Sequence, residues 1–281
     1  MSVPASALRL SGVRLDRGGR AVLRGIDLDV PRGSITAVLG PSGSGKSTLL
    51  AALTGELAPT EGQVEVLGAP MPPPGRALLE LRKHIGVLLQ GNGLLTDLTV
   101  AENVGLPLAT HTDLPAPVLR RLVLMKLHAV GLRAVADAWP RELSGGMARR
   151  VALARALALD PPLMIYDEPL TGLDPIAAGV ITSLIRRLND TLGLTSVIVT
   201  HHVHETLPIA DRAVVIANGR IVFSGAPAAL QASDDPLVRQ FLRGDPDGPI
   251  AFDSLGAFDR LGAFEGMGAL DSSDRAAASA T

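Results

Sequence analysis

The sequence predicts an α/β fold built on a parallel β-sheet, with a helical region inserted between two of its strands. One observation is the apolar run Ile35–Leu39, which is followed by a glycine-rich loop and then by the helix-like segment Thr48–Leu53. A second is that two further apolar runs, Leu163–Tyr166 and Ser196–Thr200, end at polar or charged residues. Because ligands bind outside the carboxyl ends of strands in such sheets, these ends mark the expected site.

The first half of the chain contains the loop-bearing strand and the start of the helical region. Strand-rich residues precede the glycine-rich loop, and the apolar run Ile85–Leu89 predicts another strand after the loop's helix. Residues 91–160 are predicted to form the inserted helical region, since Val118–Leu127 has the length and periodicity of a helix.

The second half of the chain returns to the sheet. The sheet resumes at Leu163 and continues through Ala213–Ala217. An Asn-Gly pair, the favoured sequence of a two-residue hairpin turn, then joins this strand to Arg220–Phe223. Residues 1–244 are therefore predicted to form one folding unit with two lobes.

The glycine-rich loop is a phosphate-binding motif. It matches the pattern G-x-x-x-x-G-K-[ST] in full and lies between a strand and a helix, as that pattern requires. The Lys46 ammonium suits the β and γ oxygens of a nucleotide, and the Ser47 hydroxyl is suited to bind Mg²⁺. A turn that merely joined strand to helix would not need Lys and Ser in this order. The loop residues expected to contact the nucleotide are Gly40, Pro41, Ser42, Gly43, Ser44, Gly45, Lys46, Ser47 and Thr48.

Two carboxylates and a histidine follow the later strands. Asp167 and Glu168 come directly after Tyr166, and His201 follows Thr200. Asp167 is suited to hold Mg²⁺, and Glu168 to orient and deprotonate the water that attacks the γ-phosphate of ATP. The imidazole of His201 can donate a hydrogen bond to that phosphate. Solvated turn residues are the alternative, but these side chains cap apolar strands.

A second loop suited to phosphate lies in the helical region. Leu143–Met147, with the sequence LSGGM, places small residues where a helix begins. Backbone N–H groups and the positive end of the helix dipole suit such a segment for contact with phosphate oxygens. Because the chain's own phosphate loop already holds one nucleotide, Ser144, Gly145 and Gly146 are expected to contact the ATP of a second molecule.

These motifs, in this order, resemble those of the nucleotide-binding subunit of an ATP-binding-cassette (ABC) transporter. The resemblance implies a P-loop NTPase fold, with a RecA-like core, an antiparallel β subdomain and an inserted helical subdomain. It also implies an ATP-bound dimer, in which Gln90 relays to a membrane subunit and Asp174 lies at the dimer seam. The implied catalytic residues are Lys46, Gln90, Glu168 and His201, and the implied Mg²⁺ ligands are Ser47, Gln90 and Asp167.

Three positions depart from the pattern of that family. Arg17 stands where an aromatic residue usually stacks on adenine; a guanidinium plane can also stack on a base, and a solvated turn arginine is the equal alternative. Met147 replaces the common Gln of the second loop. His202 stands where an acid is common and forms a His-His-x-His cluster with His201 and His204. Only the outer two share a plausible helical face and no Cys or acid completes a zinc set, so no metal site is expected there.

Further segments resemble one group within the family, the ATPases of the Mla phospholipid-trafficking systems. They are Asn103–Leu108, His111–Pro115, Val123–Leu127, Gly146–Arg150 and Asp235–Leu242. The resemblance implies a complex of two ATPase subunits with two MlaE-like permeases, a ring of MlaD-like proteins with MCE domains, and small MlaB-like subunits with STAS domains. ATP hydrolysis would then drive phospholipid movement between inner and outer membranes, with the chain on the cytoplasmic face of the bacterial inner membrane.

The composition fits a peripheral partner of a membrane protein. The 281-residue chain has no cysteine, and neither a signal sequence nor a bilayer-spanning apolar stretch is expected in it. With 47% hydrophobic residues it can bury a full α/β core, while a formal net charge of −2 shows no bias toward nucleic acid or anionic lipid. Membrane contact is therefore expected through partners, and nucleic acid is not an expected partner.

The last part of the chain differs in composition from the rest. Residues 245–281 are rich in Gly, Asp, Ala and Ser and contain a repeat of the form Gly-Ala-Phe-Asp. Its phenylalanines do not share a helical face, and the glycines oppose a helix further. We expect the segment up to Phe252 to dock on a partner and residues 253–281 to be disordered; docking of the repeat on a second subunit or an accessory protein is the alternative.

Other functions fit the sequence less well. Within the same class, a lipoprotein or a small polar nutrient is the alternative substrate. A cassette protein acting on DNA or ribosomes would be expected to carry tandem cassettes, a long coiled coil or a basic stripe. A simple P-loop kinase would have no use for Leu143–Met147.

Overall fold

The structure is a computed structural model that describes residues 6–250. Its strands are β1 Ser6–Arg17, β2 Arg20–Pro31, β3 Ile35–Leu39, β4 Glu61–Val66, β5 Ala69–Pro70, β6 Ile85–Leu88, β7 Leu163–Asp167, β8 Thr195–Thr200, β9 Arg212–Ala217 and β10 Arg220–Gly225. Its helices are α1 Lys46–Leu53, α2 Arg76–Arg82, α3 Val100–His111, α4 Ala116–Ala129, α5 Gly145–Ala156, α6 Pro175–Leu192, α7 Val203–Thr206, α8 Pro227–Gln231 and α9 Pro236–Arg243.

The larger sheet contains the expected parallel strands. Its six strands lie in the order β10-β9-β3-β8-β7-β6, and neighbouring strands are parallel except in the β9–β10 hairpin. Strands β3 and β8 are buried along their whole length, which explains their nearly continuous apolar runs. Leu39 pairs with Thr200, and Val199 pairs with Asp167. The carboxyl ends of β3, β8 and β7 therefore lie side by side at the same end of the sheet.

The smaller sheet is antiparallel and packs with the helix that follows the phosphate loop. Its strand order is β2-β1-β4-β5, and β1 and β2 form a hairpin of two 12-residue strands. Its buried side chains Leu8 and Leu23 share one hydrophobic cluster with Val38 of β3 and Leu49 of α1. Each such buried side chain contributes about 1.5–3 kcal/mol. This cluster fixes α1, and therefore the loop before it, against both sheets.

Helices α3, α4 and α5 form the region inserted between β6 and β7. Thr99 caps α3 in a reciprocal capping box, in which its hydroxyl accepts from the Glu102 N–H and the Glu102 carboxylate accepts from the Thr99 N–H. Val104 of α3, Leu127 of α4 and Leu153 of α5 lie in one buried cluster, which also includes side chains of β7 and α6. The helical region thus packs directly on β7, which carries Asp167, and on α6, which follows Asp174.

The predicted fold class is confirmed, with small shifts at element ends. Helix α1 begins at Lys46, two residues before the expected start, because Gly45 precedes it in a left-handed conformation. The turn between β9 and β10 has positive φ at both Asn218 (51°) and Gly219 (73°), as a type I′ hairpin requires. No helix in the described range has the length and apolarity to cross a bilayer.

The chain divides into two compact units after Asp234. In the second unit, Asp235 caps α9 with its carboxylate, and Gly244 ends the helix in a left-handed conformation. The Gln240 side chain accepts a hydrogen bond from the N–H of Ile250 and donates one to its carbonyl oxygen. The tail repeat, with the docking and disorder expected for it, lies outside the described residues.

Candidate functional site

Two glycines of the phosphate loop have no room for a side chain. A Cβ on Gly40, where φ is 155°, would lie 2.2 Å from the carbonyl oxygen of Ile216. A Cβ on Gly45, where φ is 106°, would lie 2.8 Å from Cδ2 of Leu23 in β2. The loop can therefore adopt this path between β3 and α1 only with glycine at both positions.

Lys46 is folded into the loop. Its side chain is buried, and its Nζ donates hydrogen bonds to the carbonyl oxygens of Gly40 at 2.8 Å and Pro41 at 3.0 Å. Burial lowers the pKa of Lys46, while the negative charges of Glu168 and Asp167 oppose this shift. The sheet thus brings the ammonium into the electrostatic range of two acids that are far away in sequence.

The loop also presents polar groups that lack partners. Among the described residues, none accepts a hydrogen bond from the backbone N–H groups of Gly45, Lys46 or Ser47. The buried hydroxyl of Ser44 has no hydrogen-bond partner there either, and Ser47 is exposed. Because donors at a helix N-terminus attract phosphate oxygens, the loop fits the anion that its sequence predicts.

Asp167 lies half-buried at the carboxyl end of β7. Burial raises the pKa of the Asp167 carboxyl, the neighbouring Glu168 raises it further, and Lys46 opposes the shift. Additional positive charge next to this group would favour its ionised form. The carboxylate of Asp167 and the hydroxyl of Ser47 are oxygen donors of the kind that Mg²⁺ prefers, so these residues fit that ion.

Glu168 is held by groups from β8 and the residue after it. Its backbone is left-handed, with φ at 46°, a conformation that costs free energy outside glycine, and its N–H donates to the Val199 carbonyl at 2.8 Å. The buried Thr200 hydroxyl donates to Oε2 of Glu168 at 2.8 Å. Oε1 lies 2.9 Å from Nδ1 of His201. The carboxylate is therefore oriented by two side chains on the neighbouring strand end.

His202 lies beside the Glu168–His201 pair, whereas His204 does not. The rings of His201 and His202 have centroids 4.4 Å apart. Because α7 begins at Val203, His201 precedes the helix and shares no helical face with the exposed His204. The expectation that no acid completes a metal-ligating set is wrong, since Glu168 comes from a different strand end and lies beside both rings.

Gln90 lies two residues after β6, the strand next to β7, and its side chain is exposed. Two arginines of α5 hold the backbone around it. Arg149, only 3% exposed, donates to the carbonyl oxygens of Leu89 at 3.2 Å and Thr171 at 3.1 Å. Arg155 donates to two carbonyl oxygens just after Gln90, at 2.7 and 2.9 Å. The helical region is thus tied to the Gln90 segment and to the segment after Glu168.

The second loop lies at the start of α5, where Ser144 and Gly145 are exposed and the other three residues are partly buried. Ser144 caps the helix, and its hydroxyl accepts from the Met147 N–H at 3.3 Å. A Cβ on Gly145 would lie 3.9 Å from the Leu173 side chain, and one on Gly146 would lie 3.4 Å from Cβ of Ala177. No hydrogen bond within residues 6–250 joins this loop to the phosphate loop.

Asp174 and Arg17 are both exposed. Asp174 caps α6, since its Oδ1 accepts from the N–H groups of Ile176 and Ala177 at 2.9 Å each. Arg17 ends β1 at the tip of the hairpin whose second strand touches the phosphate loop through Leu23. The structure therefore gives Asp174 a helix-capping role and leaves the Arg17 guanidinium open to solvent.

Thr200 and Arg149 also belong to the site, although no sequence motif includes them as functional residues. In the sequence Thr200 is the end of an apolar strand, and its hydroxyl next to a candidate catalytic histidine is the one signal of its role. Arg149 is a buried cation in a helix of mixed composition, and its contacts are with carbonyl groups 60 and 22 residues away. No spacing rule for a single sequence predicts such pairs.

Comparison with known proteins identifies similar chains. The family model described as ABC transporter matches residues 23–171. The chain is 50% identical over 249 residues to the intermembrane phospholipid transport system ATP-binding protein MlaF of Escherichia coli, which covers 88% of this chain and 93% of that protein. MlaF of Haemophilus influenzae is 48% identical over 246 residues, covering 87% and 93%.

A solved structure shows the same fold. The ATP-binding cassette MJ0796, in a dimeric post-hydrolysis state bound to ADP and Pi, matches with a TM-score of 0.71 at 31% identity. The match covers 78% of this chain and 98% of that one.

Proposed function

Because the chain belongs to the ABC transporter family and, within it, to the MlaF ATP-binding proteins, we propose that its ATP hydrolysis drives phospholipid movement between the inner and outer membranes. The observation that carries the catalytic part is the Glu168 carboxylate, fixed between Thr200 and His201 and within the electrostatic range of Lys46. A carboxylate held in this way is placed to act as a general base at a bound nucleotide.

The phosphate loop binds ATP in this proposal. The free N–H groups of Gly45, Lys46 and Ser47 bind phosphate oxygens. The Lys46 ammonium has three protons, of which two are already donated to loop carbonyls, so the third remains for the β and γ oxygens. Ser47, Gln90 and Asp167 would hold Mg²⁺, which supplies positive charge to the phosphates when bound.

Glu168 accepts the proton of the attacking water. The Thr200 hydroxyl is hydrogen-bonded to Oε2, so Oε1, on the side of the half-exposed His201, is the oxygen that accepts the proton. The His201 side chain is about half exposed, at 49%, and can turn from Glu168 to the γ-phosphate when the nucleotide is present. His201 therefore holds the base before ATP binds and contacts the phosphate afterwards.

A second copy of the chain completes the site. Ser144 and Gly145 are exposed at a helix N-terminus, Gly146 next to them is partly buried, and no hydrogen bond in the described chain joins these residues to the phosphate loop, which supports a role on a partner's ATP. The dimeric state of the related MJ0796 cassette supports the same arrangement. Asp174 lies at the resulting seam, and Arg17 stacks on adenine.

The proposed phospholipid substrate is inferred from the similar proteins. Relatives that are 48% and 50% identical to this chain are the ATP-binding proteins of an intermembrane phospholipid transport system. The partners would be a MlaE-like permease, MlaD-like MCE proteins and MlaB-like STAS proteins, with the chain attached peripherally to the cytoplasmic face of the inner membrane. The lipid itself would not touch this subunit.

Isolation of the assembly from native membranes tests this proposal. The tagged chain and its Lys46→Ala variant, purified in mild detergent, should both retain an MCE-domain protein, a permease and phospholipid, since partner contact does not require ATP. Reconstituted into vesicles, only the unmodified complex should move fluorescent phospholipid when ATP is added. Recovery of a different permease without an MCE protein would favour a lipoprotein or a polar nutrient as substrate and overturn the phospholipid assignment.

A further inference from the structure

His202 has no part in the proposed hydrolysis, yet it lies in a cluster of metal-ligating side chains. Its ring and that of His201 are inclined by 32° with centroids 4.4 Å apart. One ligand atom from each of Glu168, His201 and His202 lies within 4.8 Å of the other two. Zn²⁺ bonds of about 2.0–2.2 Å separate neighbouring ligand atoms by roughly 3.5 Å, so small side-chain rotations would bring all three onto one ion.

Thr200 supports this cluster from the interior. Its hydroxyl is fully buried, donates to Oε2 of Glu168 at 2.8 Å and accepts from the backbone N–H of His202 at 3.0 Å. One hydroxyl thus fixes the acid, through Oε2, and the backbone between the two histidines, while Oε1 of Glu168 lies 2.9 Å from Nδ1 of His201. Hydrogen bonds of this kind orient the ligands of metal sites and strengthen metal binding.

We propose that Glu168, His201 and His202 bind Zn²⁺ when nucleotide is absent, and that the bound ion blocks ATP hydrolysis. Two imidazoles and one carboxylate are a donor set that Zn²⁺ accepts, with a fourth position open to water. Mg²⁺ prefers oxygen ligands in octahedral geometry, so this cluster discriminates against the ion that hydrolysis requires. The half-exposed His201 side chain gives a dissolved ion access to the site.

The inhibitory effect rests on the proposed function, whereas the binding of the ion does not. A Glu168 carboxylate bound to Zn²⁺ cannot accept a proton from water, and a metal-bound His201 cannot turn to the γ-phosphate. Zn²⁺ would therefore remove two of the residues required for turnover while leaving the phosphate loop untouched. Binding and inhibition can be measured separately for this reason.

The chain offers a matched control for the binding measurement. His204 lies two residues from His202, is exposed, and is outside the cluster. Calorimetric titration of the full, nucleotide-free chain with Zn²⁺ should show one ion bound, with equal affinity for the unmodified chain and His204→Ala. Affinity should fall by at least about tenfold in His202→Ala and in Glu168→Gln.

Co²⁺ provides an independent measurement, because its visible absorption reports a four-coordinate site with nitrogen ligands. The absorption should appear in the unmodified chain and in His204→Ala and be lost in His202→Ala. If thermal unfolding shows that His202→Ala is misfolded, His202→Asn removes the ligand with a smaller change in polarity. Equal Zn²⁺ affinity in a folded His202 variant and the unmodified chain would overturn the proposed site.

Inhibition is then measured at fixed Mg²⁺ and ATP, with free Zn²⁺ set by a metal buffer. Turnover by the unmodified chain and by His204→Ala should fall as the site fills, and His202→Ala should need at least about tenfold more Zn²⁺. Saturating Zn²⁺ without loss of turnover would refute the inhibitory role. Absence of ATPase activity in zinc-free buffer would contradict the proposed function instead, while the binding result would still stand.

Discussion

The phosphate loop with the neighbouring strand ends, here called the phosphate-loop edge, and the second loop at the start of α5 are both suited to phosphate, but only the first brings charged groups together within one chain. At the phosphate-loop edge, Lys46, Asp167, Glu168 and His201 come from three different strand ends and are linked by hydrogen bonds and charge. At the second loop, Ser144 caps its own helix and is otherwise exposed.

This difference indicates different roles for the two regions in ATP hydrolysis. The first region is preorganised, because burial and neighbouring side chains already hold its charged groups in place. The second region offers helix N–H groups, and Leu143–Met147 itself contains no charged side chain. In the proposed function, one region therefore supplies the chemistry, and the other supplies an anion-binding surface for the nucleotide of a second copy.

Removal of the base should have the largest effect. Glu168→Gln keeps the shape of the side chain and its bond from Thr200 but cannot accept a proton, so ATP turnover should fall by roughly 10²–10⁴-fold while ATP binding persists. Steady-state phosphate release and equilibrium binding of labelled ATP measure the two quantities. Glu205→Gln, an exposed acid on α7, is the matched control. Full turnover by Glu168→Gln would exclude Glu168 as the base.

The division between regions can be tested by mixing two inactive variants. Ser144→Arg should lower turnover by about 10²–10³-fold, as loss of a phosphate-contacting donor does, and Lys46→Ala should be inactive through its own phosphate loop. A mixed dimer would contain one site with both defects and one intact site, so activity should return on mixing. If the second loop acted on the nucleotide of its own chain, mixing would restore nothing.

Thr200→Val should lower turnover by removing the hydrogen bond from Thr200 to Glu168, while the valine side chain keeps nearly the shape of threonine. The substitution removes a hydrogen bond to a charged group, worth about 1.5–3 kcal/mol, and should lower turnover by roughly 10- to 100-fold because Glu168 loses its orientation. Turnover at saturating ATP is the measurement. Thr182→Val is the control, since that buried hydroxyl bonds only to carbonyls of its own helix. Equal loss in both variants would point to general destabilisation.

The two regions also differ in how far the sequence predicts them. The phosphate loop and the strand ends at Asp167 and His201 follow from local patterns, because strand, loop and helix are adjacent in the chain. The parallel register then places these ends side by side, which pattern and topology rules together anticipate. The fold class and the strands β3, β6, β7, β8 and β9 were therefore predictable.

Contacts between distant segments were not predictable. The pairing of Glu168 with both His201 and His202 depends on the left-handed backbone at Glu168 and on the point where α7 begins, and neither has a sequence signature. The bonds from Arg149 to two distant carbonyls depend on how α5 packs on the sheet. Such features arise from tertiary packing, which a single sequence does not encode in its local spacing.

The smallest expected effect is on the free energy of unfolding, and it is expected at the phosphate-loop edge and not at the second loop. The pKa of Asp167 is raised by burial and by Glu168, so the folded chain holds this proton more tightly than the unfolded chain. Stability from this group is present below the unfolded pKa and is lost as pH rises through the folded pKa. At neutral pH, Asp167→Asn should therefore stabilise the nucleotide-free chain, by no more than about 1 kcal/mol for a group that solvent partly screens.

Denaturant unfolding between acidic and neutral pH measures this effect. Across the window above the usual Asp pKa, the stability of Asp167→Asn relative to the unmodified chain should rise, although its Mg²⁺-dependent turnover should fall. Asp137→Asn is the control, since that carboxylate is 84% exposed and has no burial cost to relieve. Equal pH profiles for Asp167→Asn and the unmodified chain would mean that the acid is not strained without nucleotide. A smaller pH-dependent loss of stability in Asp167→Asn than in the unmodified chain would show that burial of this carboxylate lowers the stability of the phosphate-loop edge when no cation is bound. The second loop, Leu143–Met147, contains no acid and therefore has no such cost.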